Sequence, residues 1–151
     1  MLIRLCYASE IARPISTLDV QILLGQAQVR NRRLDVTGAL TQSCDHFVQV
    51  LEGDRRAVDV VMDSIEADPR HRLVRIIFDE PAGKRIFSTW SMALICRDDL
   101  SEDMRRLHCH GASRGWDTRR ICGTFTRLHD FSPLQSLLPV HPRLTQGATC
   151  S

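Results

Sequence analysis

The stretch Phe47-Val48-Gln49-Val50-Leu51-Glu52-Gly53 reads as a buried strand with one polar residue in the wrong place. Side chains on a strand alternate between faces, so Phe47, Gln49 and Leu51 share one. An amide flanked in this way is expected to point inward, where its donors and its acceptor need partners. Two other strand-like segments carry unusual groups on an apolar face. Tyr7 continues the face of Ile3 and Leu5, and Trp90 shares one with Met92 and Leu94. A phenol, an amide and an indole gathered on one side of a sheet suit a planar ligand that forms hydrogen bonds.

Outward from this strand the elements alternate. Leu2 to Tyr7 reads as a first strand. Ser16 opens a helix as its N-cap, with Asp19 a near miss to a capping box. Leu18, Ile22, Gln26 and Val29, with Leu23 and Ala27 beside them, form an apolar stripe at helical spacing. Val36 to Thr41 and His46 to Leu51 pair as a hairpin across the polar tip Gln42-Ser43-Cys44-Asp45. Asp54 caps a second helix carrying Val58, Val61, Met62 and Ile65, which Pro69 ends. Leu73 to Phe78 is a further strand, and Phe87 to Cys96 the last.

The order βαββαββ predicts an α+β fold, a ferredoxin-like sandwich whose five-stranded mixed sheet has both helices on one face. Strands one and three are expected to be parallel neighbours at the sheet centre, which brings Tyr7 next to Gln49. Residues 1–97 form the main domain. Residues 98–138 form a helical cap, with Ser101 starting a short helix that holds Met104 and Leu107. A second helix covers about Asp117 to Leu128, and a third begins at Ser132-Pro133. These helices are expected to cover the other sheet face, and 139–151 to be a loose tail.

Composition narrows the class. At 151 residues, 43% hydrophobic and 25% charged, the chain is long enough for a real core and too apolar for wholesale disorder. A net charge of +2, from 20 basic and 18 acidic residues, gives no argument for a nucleic-acid partner. Every apolar run is too short to span a membrane. Met1 to Tyr7 carries Arg4 and leads to no small-residue cleavage site, so a strand is expected there, not a signal peptide. Six cysteines without a CxxC pair are expected to be free thiols in the cytoplasm.

Tyr7 and Gln49 together form a relay, since a phenol donates a hydrogen bond or an electron and an amide both donates and accepts. Asn31 closes the first helix, where a second amide could reach the edge of a flat ligand. Arg30, Arg32 and Arg33 stand where guanidinium groups could hold phosphates.

At this point the chain resembles a known family, the BLUF domains, blue-light sensors that use flavin. The resemblance rests on Tyr7, Arg30-Asn31, Val36-Thr37-Gly38-Ala39-Leu40, Phe47 to Gly53, Asp68-Pro69-Arg70-His71, and Arg85-Ile86-Phe87 with Trp90-Ser91-Met92. These blocks stand in the family's order from residue 2 to about 96. It implies that Tyr7 donates an electron to excited flavin and that the hydrogen bonds of Gln49 rearrange after light. It further implies that Asn31 holds the carbonyl edge of the ring and that Arg30 supports it. Arg70 and His71 lie near the ribityl and phosphate chain, and Trp90 and Met92 relay the change. The chain carries Ala27 where some members have a serine, so a hydroxyl that could contact Trp90 is absent. FAD is the expected cofactor, with FMN or riboflavin as alternatives. The expected partners are a second copy of the chain and a separate protein that receives the signal through residues 98–138.

Other readings have less to stand on. His108-Cys109-His110 with Cys122 fits no common zinc spacing, and consecutive helical residues cannot all face one ion, so no metal is expected. An RNA-binding sandwich would display stacking aromatics on its central strands, where this chain has Gln49. A small acylphosphatase-like or flavin-dependent enzyme would need a phosphate cradle or an acid/base pair, and neither is visible. A flavin- or small-ligand-binding ferredoxin-like regulator or enzyme without light response remains the alternative.

Overall fold

A computed structural model describes residues 1–88, 91–96, 101–111 and 118–127. The elements are β1 (Leu2–Ile11), α1 (Thr17–Arg33), β2 (Thr37–Gln42), β3 (His46–Asp54), α2 (Arg55–Glu66), β4 (His71–Pro81), β5 (Ala93–Cys96), α3 (Ser101–His110) and α4 (Thr118–Arg127). The strands form one sheet in the order β4-β1-β3-β2-β5. The expected α+β sandwich with a mixed five-stranded sheet is therefore present.

The direction of the central pair differs from expectation. β1 and β3 are neighbours but run antiparallel, with Tyr7 opposite Gln49. A crossover helix returns the chain so that β2 runs with β1, and the tight hairpin then reverses β3. The sheet's parallel pair is instead β2 with β5. β1 and β4 are longer than the apolar alternation implied, because their ends pair with each other and leave much of β4 exposed. The last strand is shorter, and Phe87 belongs to the preceding loop.

Two apolar layers sandwich the sheet. On one face Ile3, Leu5, Tyr7, Phe47 and Leu51 meet Leu23 and Ala27 of α1 and Val58, Val61, Met62 and Ile65 of α2. On the other, Cys6, Ala8, Val48 and Val50 meet Met104 and Leu107 of α3 and Ile121 and Phe125 of α4. Full burial of each large aliphatic or aromatic side chain stabilises by about 1.5–3 kcal/mol. The expected third C-terminal helix at Ser132-Pro133 lies outside the described residues. No helix among the described residues is long and apolar enough to cross a membrane.

α1 is apolar on two sides and buries the one less obvious in sequence. Leu18, Ile22 and Val29 of the expected stripe are 64%, 47% and 54% exposed, whereas Val20, Leu23, Ala27 and Asn31 face inward. Its N-terminus is closed by a complete capping box, since Ser16 Oγ accepts from the Asp19 N–H and Asp19 accepts from the Ser16 N–H. Gly38 marks a close approach of β2 to β3, where a Cβ would stand 2.1 Å from the Val50 carbonyl oxygen.

A buried carboxylate ties the loop before β5 to the sheet. Glu52 is fully buried and accepts from Arg4 Nε at 2.9 Å. It also accepts from the backbone N–H groups of Ile86 and Phe87 at 2.9 Å each.

Candidate functional site

Tyr7 on β1 and Gln49 on β3 meet on the face beneath α1 and α2. The phenol donates to Gln49 Oε1 at 2.5 Å, and Gln49 Nε2 donates to Met92 Sδ at 3.2 Å. Both side chains are buried. Burial pushes the Tyr7 phenol far above its ordinary value, with Arg30 opposing, so the hydroxyl stays protonated and remains a donor. The Gln49 amide thus has a strong acceptor role on one side and a weak thioether partner on the other.

Above this pair lies a cavity of about 290 Å³ between the helices. Leu23, Ala27, Leu40 and Ile65 supply its apolar walls, and Tyr7 with Gln49 its polar floor. Gln26, Arg30, Ser64, Asp68, Arg70 and His71 form the rim. A more open cavity of about 450 Å³ adjoins it, sharing Gln26, Ser64, Asp68 and Arg70 and adding Arg13 and Asp19. An apolar slot with a few convergent polar groups and an open polar exit fits a flat ring carrying a polar tail. The donor set therefore fits a flavin.

The rim is strongly organised. Arg70 embraces Asp68, with Nε 2.9 Å from Oδ1 and Nη2 2.6 Å from Oδ2, and reaches Gln26 Oε1 at 3.2 Å. Burial opposes the charge of Asp68, but the hydrogen bonds from Arg70 outweigh it and hold the carboxyl below the usual range. Arg30 donates to Ser64 Oγ at 2.8 Å and so bridges the two helices. His71 packs edge-on to Tyr7 and against Phe47, and its Nδ1 is 2.8 Å from Ser9 Oγ. Burial is the main cause that pushes its imidazole down to about 4, so the ring is neutral at pH 7.

Five of the expected ligand residues, Tyr7, Arg30, Gln49, Arg70 and His71, come together around this cavity. Asn31 does not line it: fully buried behind Arg30, it donates from Nδ2 to the Ser91 carbonyl at 2.9 Å. Gln28 makes the companion bond to the Met92 carbonyl at 3.1 Å. Met92 is buried beside Gln49, whereas Trp90 lies outside the described residues. Gln26, Ser64 and Asp68 were not assigned roles by sequence reasoning. Asp68 stands in a family motif, but Gln26, in the apolar stripe of α1, and Ser64 show their place on the rim only when the helices are set side by side. The His108-Cys109-His110 group does not converge, for His108 is buried while Cys109 and His110 are exposed.

Comparison with known proteins agrees with this geometry. Residues 2–93 match the family model described as "BLUF: Sensors of blue-light using FAD". The photoactivated adenylate cyclase subunit beta of Euglena gracilis is 36% identical over 98 residues, which cover 64% of this chain and 11% of that protein. The chain thus spans about a tenth of the length of such curated relatives. The dark-state structure of BlrB, a BLUF protein, superposes with a TM-score of 0.72 at 32% identity, covering 84% of this chain and 96% of that one. Klebsiella pneumoniae BlrP1 with FMN and cyclic diGMP gives a TM-score of 0.64 at 27% identity, covering 84% of this chain and 35% of that one.

Proposed function

The chain belongs to the BLUF family of blue-light sensors, and from that premise we propose that Tyr7 and Gln49 are its light-switched hydrogen-bond pair. The observation that carries this reading is the Tyr7 Oη to Gln49 Oε1 bond of 2.5 Å at the cavity floor, with the other end of the amide resting on Met92 Sδ. The matched domain is a sensor and not a catalyst.

A bound flavin supplies absorption of blue light and, when excited, an electron acceptor. Tyr7 would supply the electron that a bound flavin accepts, and Gln49 Oε1 would take up the phenolic proton. Both return to Tyr7, so the cycle leaves no net oxidation. Gln49 is left rotated or tautomerised, with a new set of bonds. The new set survives because in a dry site each amide arrangement is stabilised by its own partners. Leu23, Leu40 and Ile65 keep water out, and Arg30, Gln26 and Arg70 orient the ring and its tail. The open outer cavity beside Arg13 favours FAD, whose phosphates Arg13 would meet; FMN and riboflavin are the smaller alternatives.

Output runs through Met92. Its thioether holds Gln49, its carbonyl is held by Gln28, and the neighbouring Ser91 carbonyl by Asn31. Rearranging Gln49 removes one of these ties at the entrance to β5. The shift passes from Met92 along β5 towards the helical cap at 98–138, where a separate protein partner reads it; Trp90 is the second residue of this proposed relay. The exposed Leu18, Ile22 and Val29 face of α1 favours association with a second copy of the chain. The unpaired thiols of Cys6, Cys44, Cys109 and Cys122 favour a reducing cytoplasm.

The test is an absorption spectrum of the flavin-loaded protein before and after blue illumination. A small red shift that reverses in the dark is expected. A bound flavin with no light response would replace this reading with that of a ligand-binding regulator.

A further inference from the structure

On the sheet face opposite the cavity, Glu10, His46 and His108 point at one another. One ring nitrogen from each histidine and one carboxylate oxygen of Glu10 all lie within 4.8 Å of one another. Glu10 and His46 are direct partners in the β1–β3 ladder, three residues along from Tyr7 and Gln49. Three residues is an odd step, so this pair faces α3 and not the cavity. His108 descends onto it from α3, and the two imidazoles stand 5.1 Å apart between ring centroids. His46 and His108 are 5% and 8% exposed.

We propose that Glu10, His46 and His108 bind a divalent transition-metal ion, with zinc the best match, that fastens α3 to the two central strands. Two imidazoles and one carboxylate are a zinc-type donor set, which leaves a fourth position for water. Ligand atoms around a tetrahedral ion stand roughly 3.4 Å apart for bonds of about 2.1 Å, so small side-chain rotations close the site.

The surroundings prepare the donors. His108 Nε2 is 2.7 Å from the Leu73 carbonyl. A carbonyl only accepts, so Nε2 carries the proton and Nδ1 is left with a free lone pair. That carbonyl is aimed by an irregularity: Leu73 has φ 51°, in the left-handed region, at a β-bulge where the β1–β4 register shifts between Ala8 and Glu10. His46 Nδ1 is buried, and Asp45 Oδ1, 2.9 Å away, makes no hydrogen bond of full geometry to it. An orphaned buried imidazole nitrogen beside two other donors is what a metal would satisfy. Arg72 holds Glu10 Oε2 and leaves Oε1 as donor. Arg75 donates to the His108 and Cys109 carbonyls at 3.1 and 2.7 Å, which anchors the end of α3 over the site.

The test uses the full chain with its flavin, stripped by a chelator and titrated with Zn(II) by calorimetry and with Co(II) by visible absorption. One equivalent should bind per chain, raise the melting temperature saturably, and give Co(II) d–d bands without a thiolate charge-transfer band. Glu10→Gln, His46→Gln and His108→Gln should each weaken binding at least tenfold. The partly exposed Glu10→Gln serves where a histidine variant fails to fold. A thiolate band would assign the metal to a cysteine and overturn the proposal. So would undiminished affinity in Glu10→Gln, or no binding to the unsubstituted chain. None of these readouts depends on a light response.

Discussion

Tyr7 and Gln49 are direct partners across the antiparallel β1–β3 ladder, and their side chains close a 2.5 Å hydrogen bond on the helix-facing side. Residues opposed in such a ladder are held at short Cβ separation by the backbone itself. The geometry of the switch therefore does not depend on loop conformation. Glu52, Gly38 and His71 each stabilise a different part of the frame around it.

Gln49→Leu should keep the fold and the flavin but lose the light-induced shift. Stability should fall by about 1–2 kcal/mol, as the Tyr7 hydroxyl is left without its acceptor. Difference spectra and urea midpoints check both halves. Tyr7→Phe should also lose the shift while leaving the Gln49 to Met92 contact intact. A full shift in either variant would remove that residue from the mechanism.

Acidification should destabilise the protein through His71. The folded ring takes up its proton only near pH 4, against about 6.5 for an unfolded histidine. Between those values the unfolded state binds more protons, so stability falls as pH drops through the window, by up to about 3 kcal/mol. Asp68, held below its usual value, adds a loss only at lower pH. His71→Gln should flatten the dependence between pH 6.5 and 4 in denaturant titrations; an unchanged slope would show that other groups cause it.

Glu52→Ala should cost about 3–5 kcal/mol, since it removes the partner of the partly buried Arg4 Nε and strands two backbone N–H groups. Exchange of the Ile86 and Phe87 amides should accelerate beyond the global change. Hydrogen exchange that leaves these two amides as protected as before would contradict the role of Glu52 as the tie between β3 and the loop.

Gly38→Ala should destabilise by about 2–3 kcal/mol, because a methyl 2.1 Å from the Val50 carbonyl forces β2 away from β3. The melting temperature reports the cost. A variant as stable as the parent would mean that the two strands do not approach so closely.

Sequence alone determined which side chains share a face. The two-residue period placed Gln49 with Phe47 and Leu51, and Tyr7 with Ile3 and Leu5, and both groups are found on the helix-facing layer. The motif series was sufficient to identify the family, and cap residues such as Ser16 and Asp54 located the helix starts. These are local properties of the chain. Tertiary structure decided the rest. Alternation is the same in either strand direction, so only pairing could show β1 and β3 to be antiparallel. α1 carries apolar residues on two sides, and only docking onto the sheet selected Leu23 and Ala27 over Leu18 and Ile22. Asn31 turned from the cavity to the Ser91 carbonyl, and Glu10 met His46 and His108, because each contact joins residues far apart in the chain. Such contacts form only when separate elements bury their faces together, and no spacing within one element encodes them.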